Sequence, residues 1–176
     1  IPDQRPRRTE DQIREQCPWA LNGRKGHRKQ NIITSLELDS HQMEQNNIRF
    51  QKTYAAIEAN EVRYQAIDCD DADYLIVAFG SMARVSLKVK ELASEQGIKV
   101  GLIRPITLWP FHYEAIRNAA KNVKGILVVE LSAGQMIEDV KLAVECAKPV
   151  EHYGRLGGIV PTPEEVLEAF KQKLIK

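Results

Sequence analysis

Tyr74-Leu75-Ile76-Val77-Ala78-Phe79, closed by Gly80, is the stretch that decides the fold. It is a short, β-rich apolar run with no polar residue interrupting it, the mark of a strand covered on both faces. The chain then changes period. Met82, Val85, Val89 and Leu92 recur at helical spacing through Gln96, and Gly97 supplies the left-handed residue that ends a helix. Strand followed by helix repeats from here to the end of the chain. Ile98 to Ile103 is the next strand, Pro105 and Pro110 break the chain, and Phe111 to Ala120 reads as a helix. Gly125 to Glu130 is another buried strand and Gln135 to Ala147 another helix. Val150 to Tyr153 is a last short strand, leading into a Gly-rich turn. Thr162 caps the final helix from Pro163 to Lys173, with Pro163 at its first position and Glu165 three residues after the cap. Strands alternating with helices of about 10–15 residues define βαβ units. The class is α/β: a mostly parallel sheet with right-handed crossovers and helices on both faces.

Upstream of residue 70 the sequence has a different character. Ser40 to about Ile67 holds no Gly or Pro and is rich in Gln, Glu, Ala and Lys, which predicts one long helix capped by Asp39 or Ser40. Met43, Phe50, Ile57 and Tyr64, with Tyr54 on the same side, form one apolar row; Ile48, Ala55 and Val62 form a second. A helix with two apolar faces suits a place between two bodies. Residues 1 to 31, with Pro2, Pro6 and Pro18, read as an extended arm, with Trp19, Ala20 and Leu21 as an apolar anchor. The expected organisation is thus a basic arm and long helix over residues 1–69, an interface element, followed by the α/β domain over 70–176.

The 176 residues are enough for one ordinary core and an extension. A net charge of +1 from 25 basic and 24 acidic side chains provides no global field for nucleic acid or an anionic membrane. The charge is unevenly spread. Residues 1 to 30 carry eight Arg or Lys against four acids, including the run Arg24-Lys25-Gly26-His27-Arg28-Lys29. This cluster lacks the interleaved aromatics of a single-strand binding surface and is better suited to a phosphate-bearing cofactor or an acidic partner. No apolar run is long enough to span a bilayer, so the chain reads as soluble. Cys17, Cys69 and Cys146 are far apart and form no CxxC, which argues against a zinc or iron-sulfur site in this chain and for free thiols in the cytoplasm. The chain opens at Ile1 with no initiator Met, which reads as a piece of something longer.

In open α/β sheets ligands gather at the carboxyl ends of the strands. Three places qualify. Gly80 and Ser81 open a helix whose free N–H groups could hold an anion, although only one glycine of a dinucleotide fingerprint is present and Arg104 stands where an acid would be needed. Glu130 ends a buried strand, where a carboxylate acts as acid or base or makes a hydrogen-bonded contact across an interface; spacing assigns it no His, Ser or Cys partner. Arg155, within Gly154-Arg155-Leu156-Gly157-Gly158, could bind a carboxylate or phosphate bidentately, or form an ordinary salt bridge. His27, His41, His112 and His152 form no i, i+4 pair and read as surface or capping residues. The residues therefore predict no catalytic and no metal-binding group, with Gly80, Ser81 and Arg155 as anion or interface candidates.

Several segments together are recognisable. Tyr74 to Ser81, the run Gly101-Leu102-Ile103-Arg104-Pro105-Ile106-Thr107-Leu108-Trp109-Pro110-Phe111, then Val129-Glu130 with Gly134-Gln135-Met136, and finally Tyr153 to Gly158 with Pro161 to Val166 resemble, in that order, the C-terminal part of the α subunit of 2-oxoacid:ferredoxin oxidoreductases. The resemblance covers residues 32 to 176. The part after residue 70 is similar to the transketolase C-terminal domain, which implies three α/β/α layers around a five-stranded sheet. The resemblance implies a parent enzyme that decarboxylates a 2-oxoacid on thiamine diphosphate with Mg, joins the acyl group to coenzyme A and passes electrons through iron-sulfur clusters to ferredoxin. It also implies that these cofactors are held elsewhere in an oligomeric assembly, and that this chain binds sister domains or subunits. The overall look of the arm and helix favours a 2-oxoisovalerate enzyme over 2-oxoglutarate and pyruvate types. Where the family has an acidic, His-containing stretch, this chain has Leu36-Glu37-Leu38-Asp39-Ser40-His41, which leaves the subclass open. A stand-alone domain that binds an anion or coenzyme A is the alternative.

Overall fold

The structure is a computed structural model and describes residues 7–17, 19 and 35–175. The chain divides into two compact units, Ile1–Ile48 and Arg49–Lys176. The basic cluster at 24–29, and Ala20 and Leu21 of the apolar anchor, lie outside the described residues; Trp19 is exposed.

The arm is not wholly extended. Residues Glu10–Gln16 form a helix, α1, because Thr9 and Gln12 close a reciprocal capping box and Arg14 reaches back to Glu10 and Asp11. Local hydrogen bonds and charge pairs at i, i+3 and i, i+4 outweigh the weak apolar periodicity behind the extended reading.

The long helix, α2, spans Ser40–Asn60 and starts where Asp39 Oδ1 accepts the Gln42 N–H at 2.8 Å. It stops earlier than helix propensity suggests. Residues Tyr64–Ile67 form a strand, β1, paired antiparallel with β3 (Val100–Pro105). Arg63 fixes the change of direction: its N–H donates to Thr107 Oγ1, and its carbonyl accepts the Ile106 and Thr107 N–H groups. Val62, Tyr64 and Ile67 tolerate helix and strand alike, so pairing with an available sheet edge decides between them. No residue of α2 is buried, and both apolar rows remain half-buried or exposed.

The sheet has five strands in the order β1-β3-β2-β4-β5, with β2 at Tyr74–Ala78, β4 at Gly125–Glu130 and β5 at Val150–Gly154. All pairs except β1 with β3 are parallel, matching the mostly parallel sheet expected. Strict alternation divides the core in two. Leu75, Val77, Ile126 and Val128 face one layer, with Ile116 of α4 (Tyr113–Ala119) and Ile137 and Val140 of α5 (Met136–Ala143). Ile76, Ala78, Leu127 and Val129 face the other, with Met82 and Val89 of α3 (Gly80–Glu95) and Val166, Leu167 and Phe170 of α6 (Pro163–Leu174). Thr162 and Glu165 form the expected capping box at the start of α6.

His112 departs from its surface or capping reading. It is 2% exposed, its ring stacks on Tyr64 with centroids 5.6 Å apart, and Phe111 packs against it at 4.3 Å. The ring does not cap α4, and among the described residues neither nitrogen has a hydrogen-bond partner. Aromatic packing between β1 and the loop before α4 draws it inward. Burial lowers its pKa from 6.5 to about 4, with Asp139 opposing the shift weakly. A depressed folded pKa means that the unfolded chain binds more protons between these values. The stabilisation is therefore complete above pH 6.5 and disappears as the pH falls to 4. Urea titrations should show wild type losing on the order of 2 kcal/mol across this window and His112→Phe losing clearly less; equal losses would place the ring in water.

Candidate functional site

Because β2, β3, β4 and β5 run parallel, the loops that follow them share one edge of the sheet. The chain turns one way from β2 to β3 and the opposite way from β4 to β5, so the β2/β4 boundary is the crevice where such sheets ordinarily hold ligands. Gly80-Ser81 and the turn after Glu130 flank it.

Glu130 is 2% exposed, and its carboxylate is fully engaged. It accepts hydrogen bonds from Ser132 Oγ at 2.8 Å, from the N–H groups of Gln135 and Met136 at 3.1 Å, and from the Ile137 N–H at 3.3 Å. The side chain thus occupies the N-terminus of α5, where the positive end of the helix dipole stabilises a buried negative charge. His152 Nε2, on the neighbouring strand, lies 3.6 Å from Glu130 Oε1, an ion-pair distance beyond hydrogen-bond range. Ser132 and His152 both face the carboxylate, so Ser132 is not activated as a nucleophile by an imidazole. Close packing completes the motif. A Cβ at Gly154 would collide with the Ser132 carbonyl oxygen and sit 2.6 Å from His152 Cε1, so β5 can end beside this turn only as glycine. Sequence spacing did not reveal these partners. Ser132 is two residues on, where a turn was needed to bring it back, and His152 arrives through β4/β5 pairing.

Gly80, at φ +57°, and Ser81 are exposed at the start of α3, and no side chain caps that helix. Arg155 follows β5 and is paired with Glu165 Oε1 of the α6 capping box at 3.1 Å, the salt bridge weighed from sequence. Since β4 separates β2 from β5, Gly80-Ser81 and Arg155 lie about two strand spacings apart, roughly 10 Å. The edge groups them without converging them on one small anion. Among the described residues no three His, Cys, Asp or Glu side chains come together, so the donor set a metal would need is not assembled there. Cys17, Cys69 and Cys146 are free thiols, and burial raises the Cys69 pKa.

What the edge does present is apolar. Ile106, Leu108 and Trp109 after β3, Leu131 after β4, and Leu156, Ile159 and Val160 after β5 are all exposed. Beside Trp109 lie two adjoining clefts. One, of about 470 Å³, is lined by Gln51, Tyr54, Ala55, Glu58 and Trp109. The other, of about 410 Å³, shares Glu58 and Trp109 and extends past Leu108 and Tyr113 to Asp139. Gln51, Tyr54, Ala55 and Glu58 follow i, i+3, i+4, i+7 spacing, a face that falls between the two apolar rows read from sequence.

Fold and edge define a class: a three-layer α/β domain in which the carboxyl ends of the strands are lined with exposed apolar side chains. Residues 72–166 match the model of the pyruvate:ferredoxin oxidoreductase core domain II. The chain belongs to that family. It is 40% identical over 159 residues to the ketoisovalerate oxidoreductase subunit VorB of Methanothermobacter marburgensis, an alignment that takes in 90% of this chain and 45% of that subunit. The chain therefore spans less than half the length of this curated relative. Its fold is similar to part of a 2-oxoglutarate:ferredoxin oxidoreductase from Magnetococcus marinus, with a TM-score of 0.62 at 18% identity over 88% of this chain and 28% of the other. A split-gene transketolase, described as an inactive β4 tetramer, aligns with a TM-score of 0.55 at 20% identity over 64% of this chain and 41% of that one. The transketolase-like architecture expected from the resemblance is thereby confirmed.

Glu130→Ala would leave three N–H donors and a hydroxyl without their acceptor and should cost on the order of 3 kcal/mol in chemical denaturation. Glu130→Gln, which sets an NH2 against N–H donors, should cost about half of that. A change below about 0.5 kcal/mol for both would mean that the carboxylate does not hold the turn.

Proposed function

We propose that this chain is the non-catalytic assembly domain of a thiamine-diphosphate-dependent 2-oxoacid:ferredoxin oxidoreductase of the ketoisovalerate type. Its parent would convert 2-oxoisovalerate to the acyl-CoA, with electrons passing through iron-sulfur clusters to ferredoxin. The observation that carries this reading is the carboxyl edge of the sheet. Its buried carboxylate, Glu130, is satisfied internally, while Leu131, Leu156, Ile159, Val160, Leu108 and Trp109 stand in water. Exposed apolar side chains gathered at one end of a domain favour docking over the capture of a small charged ligand. The identity with the ketoisovalerate oxidoreductase subunit supports the branched-chain substrate class.

In this reading thiamine diphosphate, Mg, the clusters and coenzyme A are held by other parts of the cytoplasmic, oligomeric enzyme. The arm and α2, within residues 1–69, serve as the interface element, and the α/β part over 70–176, joined by β1, is the scaffold. Phe50 and Ile57 belong to an apolar row of α2 that this chain leaves unburied, and a sister domain is their natural cover.

Two measurements bear on this reading. Calorimetric titration of the chain with coenzyme A or thiamine diphosphate should show no tight binding; tight binding of either would favour a stand-alone ligand domain. Phe50→Asp with Ile57→Asp should weaken association with the other polypeptides of the enzyme by roughly a hundredfold while the circular dichroism of the α/β domain is unchanged. Unaltered association would remove α2 from the interface.

A further inference from the structure

The two clefts beside Trp109 have a chemistry of their own. Tyr54 and Trp109 meet edge to face, with centroids 5.6 Å apart and planes at 84°, and each residue is close to half exposed. They form an aromatic corner. Glu58 borders both clefts, is exposed, and has no ion-pair or hydrogen-bond partner among the described residues. Asp139 closes the far end of the second cleft, where the Tyr113 hydroxyl donates to it at 2.8 Å. Among the described residues no Lys or Arg lines either cleft. Two carboxylates and an aromatic corner, with no positive charge supplied by the lining, make a receptor for a cation that also has a flat apolar face.

We propose that this notch receives an arginine side chain from a second polypeptide of the oxidoreductase. Guanidinium meets each requirement: it stacks on an aromatic face, it forms a bidentate pair with a carboxylate such as Glu58, and its methylene stem covers apolar lining such as Ala55 in the first cleft or Leu108 in the second. Lysine provides the charge without the planar fork. The inference rests on the assembly role proposed above and names the chemistry of one contact within it. The notch had no sequence signal, because α2 and the loop after β3 are 50 residues apart and neither half looks like a site alone.

The test has two arms. Association of the chain with the remaining polypeptides of the enzyme is measured calorimetrically for wild type, Glu58→Gln and Trp109→Ala. Separately, N-acetyl-arginine methylamide and its neutral citrulline counterpart are titrated into the 15N-labelled chain while the Trp109 indole N–H is followed. Both variants should weaken association roughly tenfold or more. The arginine compound should move the Trp109 resonance in wild type but not in Glu58→Gln, and the citrulline compound should move it in neither. Glu58 is exposed on a helix, so Glu58→Gln keeps the fold even if Trp109→Ala disturbs its loop. Association undiminished by either variant, with no arginine-specific shift, overturns the arginine notch and leaves the assembly role standing. A chain that does not associate with those polypeptides removes the assembly role and, with it, the occupant proposed for the notch. Variants that change only self-association of the chain would make the occupant a second copy and overturn the inference.

Discussion

The pairing of β2 with β4 is the constraint from which the rest follows. From Leu75 to Ala78 and from Gly125 to Glu130 every residue is withdrawn from water, so neither face of the central sheet can be left open. Helices must cover both, and the alternation of side chains sends Leu75 and Val77 to α4 and α5 and Ile76 and Ala78 to α3 and α6. The same burial carries a carboxylate with it. Glu130 ends a strand with no exposed position, and a charge there needs hydrogen bonds close at hand. The N-terminus of α5 supplies them, which fixes the path of the turn through Ser132 and the approach of β5 at Gly154.

That arrangement bears directly on function. A helix N-terminus at the switch point of a parallel sheet would ordinarily be available to an anionic ligand. Here a side chain of the domain itself fills the place at α5, and beside the exposed Gly80 and Ser81 at α3 the edge carries exposed leucines, isoleucines, a valine and a tryptophan. The carboxyl end of the sheet thus combines an internally satisfied carboxylate with a row of exposed apolar side chains. A core domain of the pyruvate:ferredoxin oxidoreductase family that contributes surface to an assembly would be built in this way.

Much of the α/β part was legible because its signals are local and agree with one another. The run from Tyr74 to Phe79, the helical spacing through Val89, the Gly97 stop and the Thr162–Glu165 capping box each point to the same fold. Where sequence reading failed, the deciding interactions were nonlocal. Tyr64–Ile67 continued a helical composition and became a strand because the edge of β3 was free to pair with it. His112 is covered by the adjacent Phe111 and by Tyr64 on that same strand, and the second contact, which completes its burial, is nonlocal. The partners of Glu130 lie across a turn and on an adjacent strand. The clefts at Trp109 form only when α2 is laid beside a loop 50 residues away.

Hydrogen exchange measures the central claim most directly. The chain alone is compared with the chain in complex with the other polypeptides of the proposed oxidoreductase, at the loops covering residues 106–110, 131–134 and 155–160. An assembly domain docked through the carboxyl edge of its sheet predicts slower exchange in all three loops on complex formation, and no change on addition of coenzyme A alone. Exchange at that edge unaffected by the complex, or slowed by coenzyme A in its absence, would contradict the account.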